Sequence, residues 1–95
     1  MKHHIIVKFK KEVNVNEILP DIKNIFNETL NIDGIYSVVY KTNCIDRENR
    51  FNLMIILDMD ENALNVYDKS NPHLLWKEKY SSLIEAKAIF DSKEQ

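Results

Sequence analysis

The stretch that decides the fold opens the chain and reads Lys2-His3-His4-Ile5-Ile6-Val7-Lys8-Phe9-Lys10. Its side chains alternate between two faces, which carry His3, Ile5, Val7 and Phe9 on one side and His4, Ile6, Lys8 and Lys10 on the other. Alternation with a period of two is typical of a β-strand that is buried on one face. We therefore predict a first strand over His3–Lys10, with its more apolar face turned toward a core.

Three further segments have strand character, and they are Ile35–Thr42, Phe51–Asp58 and Glu85–Asp91. In the second strand, strict alternation places Ile35 and Val38 on opposite faces. The third strand is apolar on both faces, with Leu53 and Ile55 on one side and Met54 and Ile56 on the other.

Two helical regions separate these strands. The first has helix-capping asparagines at Asn14 and Asn16, and its apolar residues recur at offsets of three and four: Ile18, Ile22, Ile25, Phe26, Thr29 and Leu30. Because proline is tolerated near a helix start, we expect this helix to begin just before Pro20. Gly34 then turns the chain.

The second helical region divides in two. Asp60 can cap a short helix that runs through Ser70, and the pair Asn71-Pro72 interrupts it. We expect Asn71 to cap the next helix and Pro72 to be its first residue. Its apolar side carries Leu74, Leu75, Trp76, Tyr80 and Leu83.

The order strand, helix, strand, strand, helix pair, strand predicts a ferredoxin-like βαββαβ fold of the α+β class, with a four-stranded antiparallel sheet. The chain has 95 residues, which is the size of one domain, and we assign residues 1–95 to it. Helices would cover one face of this sheet only.

The other face of the predicted sheet is also apolar, which is unexpected for a face in contact with water. It carries Ile6, either Val38 or Val39, Met54 and Ile56. A second copy of the chain would cover this surface, so we predict a homodimer formed through the sheet faces.

Composition excludes several classes of function. One glycine in the whole chain is too few for a phosphate-binding loop, and a formal net charge of −2 does not favour nucleic-acid binding. The lone Cys44 rules out cysteine-based zinc sites and disulfides within the chain. No apolar run approaches the ~20 residues that span a bilayer. We expect a cytoplasmic protein with no metal, cofactor, nucleic-acid or membrane partner.

Several of these residues resemble the stress-responsive dimeric α+β barrel (Dabb) family. The opening Lys2–Lys10 resembles the first strand of that family, in which a histidine precedes alternating apolar residues. Tyr67 and His73 keep the six-residue spacing of the family's second motif, although Ser70 and Asn71 replace its usual His-Pro pair and the proline lies at Pro72. The final Ile89-Phe90-Asp91 is similar to the last strand of the family.

The resemblance implies a dimeric α+β barrel and leaves two classes of function open. In the first, a pocket between sheet and helices binds a small hydrophobic or aromatic ligand; its expected lining is Ile5, Val7, Phe9 and Trp76. In the second, similar to olivetolic acid cyclase-like polyketide cyclases, the chain is a cofactor-free lyase or cyclase. His73 would then be the base, Tyr67 the acid or carbonyl polariser, and His3 would orient the substrate.

The same residues also have purely structural interpretations. His73 can be a turn residue at a helix start, Tyr67 a core aromatic with its hydroxyl at the rim, and His3 a hydrogen-bonded histidine at a strand end. Geometry tests the catalytic hypothesis, because the proposed chemistry requires that Tyr67, His73 and His3 converge on one cavity.

Overall fold

A computed structural model describes residues 1–95. Its regular elements are β1 (Lys2–Phe9), α1 (Val15–Asn27), β2 (Ile35–Thr42), β3 (Leu53–Met59), α2 (Ala63–Asp68), α3 (Asn71–Tyr80) and β4 (Ile84–Ser92). Single 3₁₀ turns follow α1 at Glu28–Asn31 and α3 at Ser81–Leu83. The strand ends lie within two residues of the predicted ones.

The four strands form one antiparallel sheet in the order β2-β3-β1-β4, which confirms the predicted ferredoxin-like α+β fold. Along β1 and β3 every second residue is buried, so one face of the sheet meets the helices and the other does not. The buried face joins α1, α2 and α3 in a single core cluster. None of the helices combines the length and the apolarity needed to cross a bilayer.

The start of α1 differs from the prediction, because the helix begins at Val15 and contains Pro20. The side chain of Asn14 caps it and accepts a hydrogen bond of 3.1 Å from the backbone N–H of Asn16. Pro20 has no N–H to offer the carbonyl of Asn16, but Asn16 is exposed, so water can satisfy that carbonyl. The cap therefore outweighs the proline as a start signal.

The strict alternation predicted for β2 is also wrong. The register with β3 shifts between Ile35 and Ser37, so a bulge lies near the start of the strand. Ile35 is buried and Val38 packs against the same core cluster, while Val39 is 44% exposed on the other face. Of the two valines considered for the open face, Val39 is therefore the one that lies there.

The short helix α2 begins later than predicted, at Ala63, after a turn in which the N–H of Ala63 donates to the carbonyl of Asp60 over 3.0 Å. The backbone carbonyl of Gly34 in turn accepts from the N–H of Asp60 over 2.8 Å. These two turns hold the start of β2 against the start of α2.

Gly34 is the only residue of the chain with a positive φ, at 89°. A Cβ at this position would lie 3.1 Å from the Cβ of Ala63 and 3.3 Å from Oδ2 of Asp60. Both the backbone conformation and the lack of space therefore require glycine here.

We predict that Gly34→Ala lowers the free energy of unfolding by about 1–3 kcal/mol, since a side chain is strained at this φ and crowds Ala63. Urea unfolding followed by circular dichroism measures the change. The matched control is Asp33→Ala, because Asp33 is the exposed neighbour and we expect a change within about 0.5 kcal/mol there. Equal stabilities of the two variants would contradict the argument.

Candidate functional site

His3 lies on the face of β1 that meets the helices, and it is only 5% exposed. The antiparallel pairing of β1 with β4 sets it directly opposite Asp91. Nδ1 of His3 and Oδ1 of Asp91 are 2.5 Å apart, so the buried imidazole has a charged hydrogen-bond partner. This pair closes one end of a cavity between sheet and helices.

Tyr67 and His73 reach the same cavity from the junction of α2 and α3. Ser70 caps α3, where the predicted cap was Asn71, and it does so because its hydroxyl oxygen accepts from the N–H of His73 over 3.4 Å. The same hydroxyl donates to the carbonyl of Tyr67 over 2.7 Å. One serine thus ties the end of α2 to the first turn of α3.

The three rings form a continuous row. The ring centroids of His3 and Tyr67 are 5.4 Å apart in an edge-to-face arrangement, and those of Tyr67 and His73 are 4.8 Å apart and tilted by 47°. The structure therefore brings together the three residues that the sequence singled out.

The cavity beside these rings has a volume of about 350 Å³. Its lining is His3, Ile5, Leu64, Tyr67, Asp68, His73, Trp76, Lys77, Lys87, Ile89 and Asp91. Of the four pocket residues expected from the sequence, Ile5 and Trp76 line it. Val7 and Phe9 do not, because they lie farther along β1 from His3.

Hydrogen bonding determines which ring nitrogens are free. Nδ1 of His73 lies 2.8 Å from the carbonyl oxygen of Asp68, which can only accept, so Nδ1 carries the hydrogen. Nδ1 of His3 likewise donates to the Asp91 carboxylate. In their neutral forms both imidazoles therefore keep a lone pair on Nε2.

The hydroxyl of Tyr67 makes no hydrogen bond within the chain, although the residue is 1% exposed. No fully buried side-chain oxygen lacks a partner, so this hydroxyl is not completely sealed in the core, and Tyr67 is one of the residues that line the cavity. Burial, and secondarily the charge of Asp68, raise the pKa of Tyr67 well above its usual range. The phenol therefore stays protonated and can donate a hydrogen bond to a ligand.

A larger cavity of about 580 Å³ lies between the end of α1 and α3. Its apolar wall includes Leu74 and Leu75, and its ionisable residues are Glu28 and Glu78. It contains no histidine or tyrosine, so it lacks the proton donors and acceptors of the smaller cavity. We therefore take the smaller cavity as the candidate functional site.

The sequence did not indicate that Asp91, Lys77 and Lys87 line this cavity. Asp91 is adjacent to His3 only through the register of β1 with β4, and Lys87 lies on the same face of β4. No local pattern indicates that pairing, since the two strands are at opposite ends of the chain.

His, Cys, Asp and Glu side chains form no group of three or more that could hold a metal ion. The contact between His3 and Asp91 is a hydrogen bond. His3, His73, Asp68 and Asp91 line the cavity, but no three of them are close enough together to form a zinc site.

Comparison with known proteins shows the same architecture. No protein-family model and no curated protein matches the sequence. Among solved structures, a Dabb family protein with a ferredoxin-like fold from Mesorhizobium loti is similar, with a TM-score of 0.76 and 14% identity over 99% of this chain and 95% of that one.

Two other solved structures of similar fold are a protein of unknown function and an enzyme. A dimeric protein of unknown function and ferredoxin-like fold from Bacteroides fragilis has a TM-score of 0.71 and 19% identity, over 98% of this chain and 94% of that one. A hydroxynitrile lyase from Passiflora edulis has a TM-score of 0.74 and 14% identity, over 94% of this chain and 87% of that one. At these identities the likeness shows the ferredoxin-like fold, which fits a Dabb-type domain as the sequence resemblance implied.

Proposed function

We propose that the chain is a single Dabb-type domain over residues 1–95 that forms a homodimer and binds a small, mostly hydrophobic ligand between its sheet and helices. The observation that carries the proposal is the convergence of His3, Tyr67 and His73 on one cavity of about 350 Å³. Cavities with apolar walls and a few convergent polar groups are the usual form of small-molecule sites. The stress-responsive role that the family resemblance implies and the cytoplasmic location expected from the sequence stay predictions.

Apolar residues on the open face of the sheet support the dimer. Ile6 pairs with Met54, and Ile56 pairs with Val39, so the four form a continuous patch across three strands. Phe90 on β4 lies on the same face, paired with His4, and is 62% exposed. A patch of this kind favours association with a second copy, and a dimeric protein of similar fold provides a precedent.

We predict that Val39→Lys converts the dimer to a monomer, because a charge would be buried in the proposed sheet-to-sheet interface beside Ile56. Light scattering coupled to gel filtration, at micromolar concentration, measures the mass. Val39 is 44% exposed in the single chain, so the substitution should leave the fold of the monomer intact, as circular dichroism will show.

Leu74→Lys is the matched control for the dimer. Leu74 is 52% exposed on the helix layer, away from the sheet face, and we expect this variant to remain dimeric. A wild-type chain that is monomeric, or a Val39→Lys variant that dimerises like wild type, would refute the proposed interface.

Ligand binding can be followed at Trp76, which is the only tryptophan of the chain and lines the cavity. We predict that acetophenone, a small apolar ketone, shifts the single indole N–H signal in a ¹H–¹⁵N spectrum. Leu64→Phe should weaken this binding at least about tenfold, because the larger ring fills part of the cavity where Leu64 now lies.

Val66→Phe is the control for ligand binding, since Val66 lies on the same short helix but is 56% exposed and does not line the cavity. It should bind acetophenone as wild type does. Native mass spectrometry of freshly purified protein supplies the second measurement, and Leu64→Phe should reduce any co-purifying ligand. Binding that is unaffected by Leu64→Phe would place the ligand elsewhere.

The alternative function is a cofactor-free lyase or cyclase, and the unpaired hydroxyl of Tyr67 favours it. In this proposal Nε2 of His73 removes a proton from the carbon next to a carbonyl, while Tyr67 donates a hydrogen bond to the carbonyl oxygen. His3 is held by Asp91 against the Tyr67 ring and orients the substrate. The similar fold of a hydroxynitrile lyase is compatible with chemistry in this type of pocket.

If the alternative is right, the protein should catalyse exchange of the methyl protons of acetophenone with solvent deuterium, which ¹H NMR measures directly. His73→Gln should slow the exchange about 100-fold or more, and Tyr67→Phe should slow it about tenfold. His4→Gln is the control, because His4 lies on the opposite face of β1. If acetophenone binds but its methyl protons exchange no faster than in buffer without the protein, the catalytic function is excluded for this ketone. The ligand-binding function would then still stand.

A further inference from the structure

The candidate cavity is lined by two stripes of residues, one on a helix and one on a strand. On α3 the stripe is His73, Trp76 and Lys77, whose spacing of three and four puts them on one side of the helix. On β4 the stripe is Asp91, Ile89 and Lys87, which alternate and therefore share one face.

Both stripes are ordered in the same way. Starting from the end of the cavity at His3, each stripe has a polar hydrogen-bonding residue, then an apolar residue and then a lysine. This order follows the chain direction on α3 and runs against it on β4. Lys87 pairs with Val7 in the sheet, whereas Asp91 pairs with His3, so Lys87 lies toward the opposite end of β1 from the histidine.

The chain direction shows that the two lysines lie at the same end of the cavity. Only the turn Ser81–Leu83 separates the end of α3 from the start of β4, so these ends are neighbours. Lys77 is four residues farther along α3 than His73, about 6 Å, and Lys87 is four residues from Asp91 along β4, about 13 Å. The lysine end is therefore about 6–13 Å from the histidine end.

The charges at the two ends differ in sign. Asp91 and Asp68 both lie at the histidine end, where Asp91 holds His3 and the backbone carbonyl of Asp68 holds His73. Neither Lys77 nor Lys87 forms an ion pair, which is true of seven of the eleven lysines; the ion pairs of the chain use Lys8, Lys11, Lys79 and Lys93. Two lysines without carboxylate partners thus remain at one end of a cavity whose apolar lining is Ile5, Leu64, Trp76 and Ile89 beside the Tyr67 ring.

We propose that the ligand of this cavity is a small carboxylic acid whose carboxylate lies between Lys77 and Lys87 and whose opposite end carries a carbonyl or hydroxyl oxygen that accepts from Tyr67. Its body is apolar and contacts Trp76 and Ile89. The inference rests on the proposed ligand-binding function and adds the charge and orientation of the ligand. The carboxylates of Asp68 and Asp91 would repel an acid bound in the reverse orientation. They therefore favour the orientation in which the ligand carboxylate lies at Lys77 and Lys87.

The test compares an acid with its neutral amide of the same shape, 4-acetylbenzoate and 4-acetylbenzamide. Both have a ketone at one end, and only the first has a carboxylate at the other. The dissociation constants follow from titrations of the Trp76 indole signal. We expect the acid to bind about tenfold more tightly than the amide, since each exposed ion pair contributes up to about threefold to fivefold in affinity.

The double variant Lys77→Gln/Lys87→Gln should bind the acid about tenfold more weakly and leave the affinity for the amide unchanged. Lys10→Gln is the control, because Lys10 is exposed, forms no ion pair and lies outside the cavity. Added sodium chloride should weaken binding of the acid and not of the amide.

The outcomes separate this inference from the function on which it rests. Equal binding of acid and amide, or wild-type affinity of the double variant for the acid, would overturn the inference and leave the ligand pocket standing. If neither probe nor acetophenone moves the Trp76 signal, the ligand-binding function itself fails, and the inference fails with it.

Discussion

The pairing of β1 with β4 is the constraint on which the site depends. It joins the two ends of the chain and sets Asp91 against a histidine that is almost fully buried. Burying an imidazole without a partner is costly, and a slip of one residue would turn His3 to the opposite face of the sheet. The hydrogen bond between His3 and Asp91 thus ties the register of the edge strand to the chemistry of the cavity.

The break between α2 and α3 is the second determinant of the site. A continuous helix would carry residues six positions apart to different sides, whereas the Ser70 cap redirects the chain so that Tyr67 and His73 are in ring contact. The hydroxyl of Ser70 serves both helices, because it donates to one and accepts from the other. The candidate site is therefore built on helix ends, which are held by caps, and on a strand, which is held by its register.

The two faces of the sheet have separate roles in this proposal. The helices close one face and leave a cavity near β4, where Ile89 remains 48% exposed. The other face carries the apolar patch around Ile56 and is free of helices. A chain of this length buries a limited core by itself, so covering the second face with another copy would add the apolar burial that the single chain lacks.

The sequence by itself determined the element order and the fold class, because alternation, helical spacing and turn residues are local signals. The three residues of the ring row were indicated by the resemblance to the Dabb family. The sequence misplaced the start of α1, since a cap at Asn14 competes with a proline and only the packed helix shows which prevails. It left Val38 and Val39 undecided because a bulge in β2 changes the face of every later residue in that strand. Asp91, Lys77 and Lys87 join the site only through the pairing of distant strands and the packing of α3. These contacts depend on the tertiary structure, since no short-range pattern encodes which strand lies beside which.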